Sequence, residues 1–450
     1  MKSILITNAT TINEGRSLIQ DVRIKDGRID TLGTDLSARK TDQIIDAKGL
    51  FLLPGMIDDQ VHFREPGLTH KGTIASESRA AVAGGITSFM DMPNTIAPTT
   101  TMAALVEKYR IAETSAFSNY GFYFGATNDN IEAIKRLDPE KICGLKVFMG
   151  ASTGNLLVDD PDVLEAIFSQ SPVRVAVHCE DTPLIDAQTR HFKGIYGDAV
   201  PVFLHPVIRS QAACFKSSAL AVELAKKHGT WLHVLHVSTE KELSLFSDAP
   251  IREKRITAEV CVHHLFFSDA DYNMQGARIK CNPAIKTEKD RRALLTALKT
   301  GKLDVVGTDH APHTLSEKQQ PYLLAPSGLP LVQHALICLL EHVHNGDLSL
   351  ETVVQRTSHG PAELFGIRER GYIREGFWAD LVLVDMNQST RVDDDPVYYH
   401  CGWTPFSGQT FRSRIVATLV SGHLAFLKGR LDPTPAGKPL VFTGCSLKTA

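Results

Sequence analysis

This sequence lacks the features that mark several classes of protein. No apolar stretch approaches the roughly 20 residues needed to span a bilayer, and the N-terminal segment turns polar after a few residues, so we expect no membrane span and no secretory signal. The formal net charge is only −3, and no basic run is long enough to form a phosphate-binding stripe, which argues against a nucleic-acid partner. Fixed-period repeats and low-complexity tracts are also absent.

The sequence contains no C-x-x-C pair. Its eight cysteines are scattered over 450 residues, which favours reduced, mostly buried thiols over a disulfide framework and predicts a cytoplasmic protein. Cys179 lies beside a candidate ligand, and we interpret it as core packing. Hydrophobic residues make up 43% of the chain and charged residues 22%, as in an ordinary globular protein.

What the sequence does contain is a series of short apolar runs that end in polar residues able to bind a metal. They are residues 56–62, 144–150, 173–180, 231–238 and 304–313. A parallel strand buried on both faces has this pattern. Strands that end in such residues would deliver them to one rim of a closed barrel. The recurrence of the pattern predicts a metal-centred hydrolase.

The ends of the chain predict a different structure from its middle. Residues 1–53 and 366–450 are rich in β-branched residues and glycine turns, including a hairpin signal at Asp26-Gly27, and we expect them to form one small β-domain. Residues 54–365 alternate strands with helices, which predicts an α/β fold, a (β/α)8 TIM-type barrel. The expected strands are 56–62, 86–92, 120–125, 144–149, 174–179, 231–237, 257–264 and 304–309.

A weakly patterned stretch, 311–330, follows the last expected strand. Structureless loops of this length inside a compact domain are usually functional. We therefore expect this segment to be a lid over the site.

The first barrel strand and the loop after it carry three candidate residues. Side chains alternate along a strand, so Asp58, Gln60 and His62 are expected to point the same way. His62 alone is equally typical of a satisfied rim histidine. Arg64 follows at once, and an arginine at this place could hold a carboxylate in a bidentate grip.

Lys146 lies inside an apolar run, where an unpaired lysine is rare. Burial lowers the pKa of an amine, so a neutral Lys146 could take up carbon dioxide and become a carbamate that bridges two cations. Taken alone, the residue also fits a lysine that extends to solvent. The other metal-competent residues favour the carbamate.

Two histidines end neighbouring strands. His178 and His236 are candidate zinc ligands, because a catalytic zinc keeps three protein ligands and an open position. His233 lies an odd number of residues from His236 and is expected to pack on the other side. His263 and His264 cannot both face the site, and neither is assigned a role.

The last strand ends in Asp309, which could take a proton from a metal-activated water and return it to a leaving nitrogen. His313 follows in a loop and is placed for substrate rather than metal. Asn94 and Asn282 each follow a strand-like run, and by themselves both are equally typical of turn asparagines.

Several motifs together resemble those of dihydroorotases, which belong to the amidohydrolase superfamily. The resemblance runs from the N-terminal strands to about residue 385. Its most specific parts are HFREPG at 62–67 and GTDHAPH at 307–313. The other matching segments are 54–61, MPNT at 92–95, GLKVFMG at 144–150, the histidines that end the fifth and sixth strands, and CNPAIK at 281–286.

The resemblance implies an activity and a role for each candidate. It implies reversible cyclisation of N-carbamoyl-L-aspartate to L-dihydroorotate by an enzyme with one or two zinc ions. The implied metal ligands are His62, carboxylated Lys146, His178, His236 and Asp309, of which Asp309 is also the catalytic base. The implied substrate-binding residues are Arg64, Asn94 and His313 for the carboxylate and Asn282 for the pyrimidine ring.

One position departs from the family pattern. Dihydroorotases usually carry His-x-His on the first barrel strand, and here the first of these positions is Gln60. The amide of glutamine is neutral and binds zinc less well than imidazole. Either two metal sites of unequal affinity or a single zinc would follow.

Three alternatives stay open. Hydantoinases and allantoinases share the implied barrel and ligands, although a hydantoin has no carboxylate for Arg64 to bind. The third is a non-catalytic subunit that supports a partner such as aspartate transcarbamoylase, and only Gln60 favours it. A homodimer is also left open.

Overall fold

The computed structural model describes residues 3–151, 154–393 and 396–444. Its strands, in chain order, are β1 (Ser3–Asn13), β2 (Arg16–Lys25), β3 (Arg28–Gly33), β4 (Asp42–Asp46), β5 (Phe51–Pro54), β6 (Met56–Val61), β7 (Ile86–Asp91), β8 (Asn119–Phe122), β9 (Phe124–Gly125), β10 (Leu145–Phe148), β11 (Val175–His178), β12 (Leu232–Val234), β13 (Ile256–Cys261), β14 (Val305–Gly307), β15 (Leu381–Asp385), β16 (Thr390–Arg391), β17 (Thr410–Phe411), β18 (Arg414–Val420), β19 (His423–Leu427) and β20 (Arg430–Leu431).

Most of the helices lie between the strands of the middle region. They are α1 (Ile74–Ala83), α2 (Met102–Ser115), α3 (Ile131–Ile134), α4 (Pro161–Gln170), α5 (Thr182–Tyr196), α6 (His205–Ile208), α7 (Gln211–His228), α8 (Val262–Phe266), α9 (Tyr272–Gln275), α10 (Glu288–Thr300), α11 (Leu315–Lys318), α12 (Ala335–His344), α13 (Leu350–Val354) and α14 (Gly360–Phe365). Among the described residues, none of these helices combines the length and apolarity that a bilayer span requires.

The barrel is closed and carries the predicted strands. Strands β6 to β8 pair in parallel, as do β9 to β14. The expected third strand is interrupted at Tyr123, and its two halves join the two sheets. Closure comes where Val61 bridges His310 and the amide of His62 donates to the His310 carbonyl at 2.7 Å. The α/β barrel prediction is confirmed.

Helix ends in the barrel follow local capping rules. The side chain of Thr73 accepts a hydrogen bond from the amide of Ser76 and forms a capping box at the start of α1. The side chain of Ser210 accepts a hydrogen bond from the amide of Ala213 at the start of α7. Gly229 ends α7 in the left-handed conformation, with φ of 67°. These ends fix where each crossover returns to the next strand.

Both ends of the chain contribute to one separate nine-stranded sheet. β5 lies between β1, to which it is parallel, and β15, to which it is antiparallel. The expected hairpin is present between β2 and β3, with Asp26 and Gly27 at φ of 53° and 83°, as a type I′ turn requires. The exact domain boundaries, at 53/54 and 365/366, remain a prediction.

A buried ion pair connects the sheet to the barrel. Arg370 pairs with Asp380, and both side chains are almost fully buried. The other oxygen of Asp380 accepts from Nδ2 of Asn119, the first residue of β8, at 3.0 Å. The barrel strand β8 is therefore linked by polar contacts to the chain entering β15.

Two local expectations differ from the structure. The strand expected at 257–264 ends at Cys261, and α8 begins at Val262, so His263 and His264 are helical. The segment around β16 and β17 contacts the barrel, because Trp403 Nε1 donates to the His313 carbonyl at 2.8 Å. Of the cysteines in the described residues, all are free, and only Cys401 is not fully buried. Cys445 lies outside the described residues.

Candidate active site

A pocket of about 480 Å³ opens to solvent at the carboxyl ends of the barrel strands. Every predicted site residue except His313 lines it. The lining members of the predicted set are His62, Arg64, Asn94, Lys146, His178, His236, Asn282 and Asp309. Gln60 lines it too, whereas His233 is fully buried elsewhere and bonded to Asp59 at 3.2 Å.

Three of these residues have an uncommon backbone conformation. Arg64, His236 and Asp309 have φ of 70°, 39° and 49°. A left-handed non-glycine residue costs on the order of 1–3 kcal/mol, and such residues cluster at functional sites. The left-handed turns direct these side chains into the pocket just after their strands end.

The first barrel strand is irregular, and this separates two residues expected to share a face. The register between β6 and β7 shifts between Asp58 and Val61. Asp58 accepts from the hydroxyl of Thr308 at 2.6 Å and does not line the pocket. Gln60 and His62 do line it, so the expected alternation holds only for this second pair.

His178 and His236 face each other with their ring nitrogens. Nδ1 of His178 lies 2.9 Å from Nε2 of His236. Nε2 of His178 contacts Glu180 at 2.9 Å, and Glu180 also pairs with Arg209. Burial alone would raise the pKa of Glu180, but Arg209 and His178 lower it to about 2. Ionised Glu180 therefore accepts a hydrogen bond from the protonated Nε2 of His178 and leaves the Nδ1 lone pair facing the pocket.

His62 and Asp309 form a second close pair of polar side chains. Its Nδ1 lies 2.6 Å from Oδ1 of Asn94 and donates to it, since a carbonyl oxygen cannot donate. Its Nε2 lies 3.0 Å from Oδ1 of Asp309, which also accepts from Nε2 of Gln60 at 3.0 Å. In the neutral imidazole, an Nε2 lone pair and a carboxylate oxygen then point at each other.

Lys146 is a buried amine without a counterion. It is 1% exposed, and its nitrogen lies 4.6 Å from the ring centre of Phe148. Among the described residues its ammonium group has no hydrogen-bond or ion-pair partner. Burial lowers the pKa of Lys146 to about 8, against the opposing influence of Asp309 and Glu259. The neutral fraction of the amine at pH 7 is then roughly a tenth, far more than in an ordinary lysine.

The residues at the strand ends fit a metal ion. Their donors are imidazole nitrogens and a carboxylate, which is the donor set of catalytic zinc sites. Nδ1 of His178 faces Nε2 of His236, and Nε2 of His62 faces Oδ1 of Asp309, at 2.9 and 3.0 Å. Either a proton on one atom of each pair or a shared cation satisfies these contacts. The barrel rim is thus a candidate metal centre, and its donors come from β6, β11, β12 and β14.

Arg64 lines the same pocket and is held by neighbouring groups. Its Nε donates to the Pro312 carbonyl at 3.0 Å, and a terminal nitrogen lies 3.0 Å from Nε2 of His313. Burial lowers the pKa of Arg64 to about 10, so it stays protonated at neutral pH. Burial, together with Arg64 and Lys71, lowers the pKa of His313 far below its usual range. A neutral His313 has one acceptor nitrogen, so it accepts either from Arg64 at Nε2 or from Lys71 at Nδ1.

Asn282 brings an unused acceptor to the same pocket. Its Oδ1 is buried and has no hydrogen-bond partner among the described residues. A buried acceptor left unpaired costs about 1–3 kcal/mol. A ligand N–H group would supply the missing partner.

The segment 311–330, expected to be a lid, packs closely in this structure. Lys318, inside this segment, is 2% exposed. Its ammonium donates at 2.9 Å to the carbonyls of Lys280, Pro326 and Gly328. The amide of Ala311 donates to the Leu329 carbonyl at 2.8 Å. The segment therefore forms a wall of the pocket in this position, and its role as a lid stays a prediction.

Some residues of the site are not evident from the sequence. Glu180 and Arg209 orient His178, and Lys71 contacts Nδ1 of His313 at 3.0 Å. Gly328 lines the pocket at φ of 140°, where a Cβ would lie 2.4 Å from the Ala311 carbonyl. Glu180 stands two residues after His178, and that spacing is the one signal that could have indicated it.

Comparisons with known proteins agree with this geometry. A model described as the amidohydrolase family matches residues 51–425. A dihydroorotase of Halobacterium salinarum is 36% identical over 394 residues, covering 87% of this chain and 89% of the relative. An allantoinase of Rubrobacter xylanophilus is 32% identical over 444 residues, covering 96% of each. An L-hydantoinase structure from Arthrobacter aurescens superposes with a TM-score of 0.92 at 26% identity, covering 98% of this chain and 100% of that chain.

Proposed function

This chain belongs to the amidohydrolase family, and we propose that it is a zinc-dependent dihydroorotase that interconverts N-carbamoyl-L-aspartate and L-dihydroorotate. The observation that carries the proposal is the presence of Arg64 in the same pocket as the strand-end donors. A buried guanidinium opposite a metal centre matches a substrate with a carboxylate beside its reacting amide. Curated relatives named dihydroorotase, such as that of Halobacterium salinarum, support it.

The metal would be held by side chains from both sides of the barrel. The proposed ligands are His62, Lys146, His178, His236 and Asp309. A bound zinc ion supplies Lewis-acid polarisation of the reacting carbonyl and lowers the pKa of water. Lys146 would act as a carbamate, because its neutral amine can form a nitrogen–carbon bond to carbon dioxide with release of a proton. Its burial and its lowered pKa support this chemistry.

Asp309 is the proposed general base and acid. In the hydrolytic direction it accepts a proton from the attacking water and delivers it to the leaving ring nitrogen. In ring closure the same carboxylate takes the proton from the ureido nitrogen. The hydrogen bond from Gln60 at 3.0 Å fixes the carboxylate, so that its position does not depend on the substrate.

Arg64, Asn94 and His313 are the proposed binding residues for the substrate carboxylate, and Asn282 for the pyrimidine ring. Arg64 is held at the Pro312 carbonyl, which leaves its other N–H groups for the ligand. Fixing the carboxylate in this way sets the position of the reacting carbonyl. The unpaired Oδ1 of Asn282 can accept from a ring N–H.

An allantoinase or hydantoinase is the second candidate, favoured by the allantoinase relative and the hydantoinase structure. Turnover of L-dihydroorotate, dihydrouracil, hydantoin and allantoin by the same preparation distinguishes them. The proposal expects kcat/KM for dihydroorotate to exceed the others by at least about tenfold, which is the lower value for one charge-assisted hydrogen bond. Preference for a substrate without a carboxylate would exclude the dihydroorotase proposal. If zinc-loaded protein turned over none of the four substrates, the non-catalytic subunit would be favoured.

The cytoplasm is the proposed location of the protein. The support is that the free cysteines of the described residues are almost all buried, which suits a reducing compartment. A homodimer is part of the same proposal, and sedimentation of the purified chain would test it.

A further inference from the structure

A second group of metal-competent side chains lies next to the pocket, at the end of β13. Cys261 is the last residue of β13, and His263 and His264 follow in the first turn of α8. All three are buried. One donor atom from each lies within 4.8 Å of the others. These residues are distinct from those that line the pocket.

The imidazoles of this cluster have nitrogens without partners. Within the described part of the chain, neither ring nitrogen of His263 makes a hydrogen bond, and Nδ1 of His264 makes none. Burial lowers the pKa of His263 well below its usual range, against a weaker opposing effect of the Thr308 backbone. Apart from the hydrogen-bond contact with the Thr308 backbone that opposes this shift, the imidazole of His263 has no partner among the described residues, which is rare for a fully buried group.

The hydrogen bond of His264 fixes which nitrogen is free. Its Nε2 lies 3.1 Å from the Pro283 carbonyl, which can only accept, so Nε2 carries the proton. The lone pair is then on Nδ1. A histidine that donates one nitrogen to a backbone carbonyl and presents the other is oriented as metal-binding histidines are.

Within this cluster, the thiol of Cys261 is the group that contacts the lining of the pocket. It donates to Oε1 of Glu259 at 3.1 Å, and its sulfur lies 3.9 Å from Oε1 of Gln60. Gln60 lines the pocket, so a cation has a short path from solvent past this side chain. Burial raises the pKa of Glu259 to about 7, so this carboxyl group can hold a proton near neutral pH.

We propose that Cys261, His263 and His264 form a further metal site, which takes a thiophilic divalent cation such as Zn²⁺. Thiolate and imidazole together select zinc over magnesium or calcium. Tetrahedral Zn–S and Zn–N bonds of about 2.3 and 2.0 Å place the donors about 3.3–3.5 Å apart, so donor atoms that lie within 4.8 Å of one another must close in by up to about 1.5 Å. The zinc–sulfur bond forms as the sulfur–hydrogen bond breaks, and the proton passes to Oε1 of Glu259.

This site does not depend on the proposed substrate. None of its donors is assigned to the reaction, so it stands equally for a dihydroorotase, an allantoinase or a hydantoinase. It also adds a metal ion to those held at the barrel rim.

Cobalt binding tests the site through a spectroscopic signal that activity does not affect. Metal-free protein is titrated with Co²⁺, because a cobalt–thiolate bond gives a charge-transfer band in the near ultraviolet whereas imidazole and carboxylate ligands do not. We expect the band in the wild type and its loss in Cys261→Ser. The Ser variant should also bind about one Zn²⁺ fewer per chain by elemental analysis. Cys338→Ser, which changes a buried thiol in α12, should keep both the band and the stoichiometry.

His263→Phe is the second variant, because it keeps the thiol and the approximate volume. Its cobalt affinity at the thiolate site should fall by about tenfold or more. A wild-type protein saturated with Co²⁺ that shows no thiolate band would overturn the proposal, and this result requires no variant to fold. A band that survives in folded Cys261→Ser would assign it to another cysteine and overturn the proposal equally.

Discussion

Replacing Arg64 by lysine tests how the pocket recognises its substrate. Lysine keeps the positive charge but has one nitrogen, so it cannot bond the Pro312 carbonyl, as Arg64 does at 3.0 Å, and still hold a carboxylate with two parallel bonds. Losing one charge-assisted hydrogen bond costs about 1.5–3 kcal/mol. At about 1.4 kcal/mol per factor of ten, kcat/KM for dihydroorotate should fall roughly ten- to hundredfold.

The assay follows the ultraviolet absorbance of dihydroorotate in both directions. An interaction that is equally strong in the ground and transition states raises KM and leaves kcat unchanged, so KM should carry most of the loss. Arg110→Lys changes an exposed arginine that bonds only Glu107 and should have no effect. A kcat/KM that stays unchanged in Arg64→Lys, or that falls equally for dihydrouracil, which has no carboxylate, would refute the reasoning.

The other predictions concern metal binding and the pocket wall. Lys146→Ala should lose most bound zinc and nearly all activity, with partial rescue by short carboxylic acids; wild-type metal content in this variant would refute the carbamate. Gln60→His should tighten the most weakly held ion, seen as a higher chelator concentration for its release, and an unchanged release curve would show that Gln60 does not weaken the site. Lys318→Met leaves the Pro326 and Gly328 carbonyls without a donor at about 1–3 kcal/mol each, while the Lys280 carbonyl keeps the Gly328 amide. Protease cleavage within 311–330 should therefore become faster than in Lys135→Met, a surface control; equal cleavage rates would show that the anchor is dispensable.

The candidate site was accessible to sequence reasoning because its signals are local. Each of Lys146, His178 and His236 stands at or just beyond a short apolar run, and parallel strands bring their carboxyl ends together whatever lies between them. In the structure Lys146 of β10 lies opposite Ala176 of β11. The barrel topology alone was enough to expect that these neighbouring strand ends lie at the same rim.

Sequence reasoning reached its limit where tertiary contacts override local pattern. Lys318 looks like a surface lysine in the sequence, and only the carbonyls of Lys280, Pro326 and Gly328 make it an anchor. The sequence pattern continues past Cys261 without a break, and for that reason it predicts a strand through His264. In the structure the strand ends at Cys261 and α8 begins at the next residue. Apolar runs alone do not distinguish a strand from a short buried helix.

The nine-stranded sheet has a consequence for the newly made chain. Phe51 of β5 pairs with Val384 of β15, a residue synthesised more than three hundred positions later. At about 5–20 residues per second, the ribosome needs roughly 15–60 s to produce that partner. Until then one edge of β5, with the apolar sequence FLLP, has no strand beside it, which is a known hazard for association between chains. Until β15 is made, the free edge of β5 is therefore open to pairing with a strand of another chain.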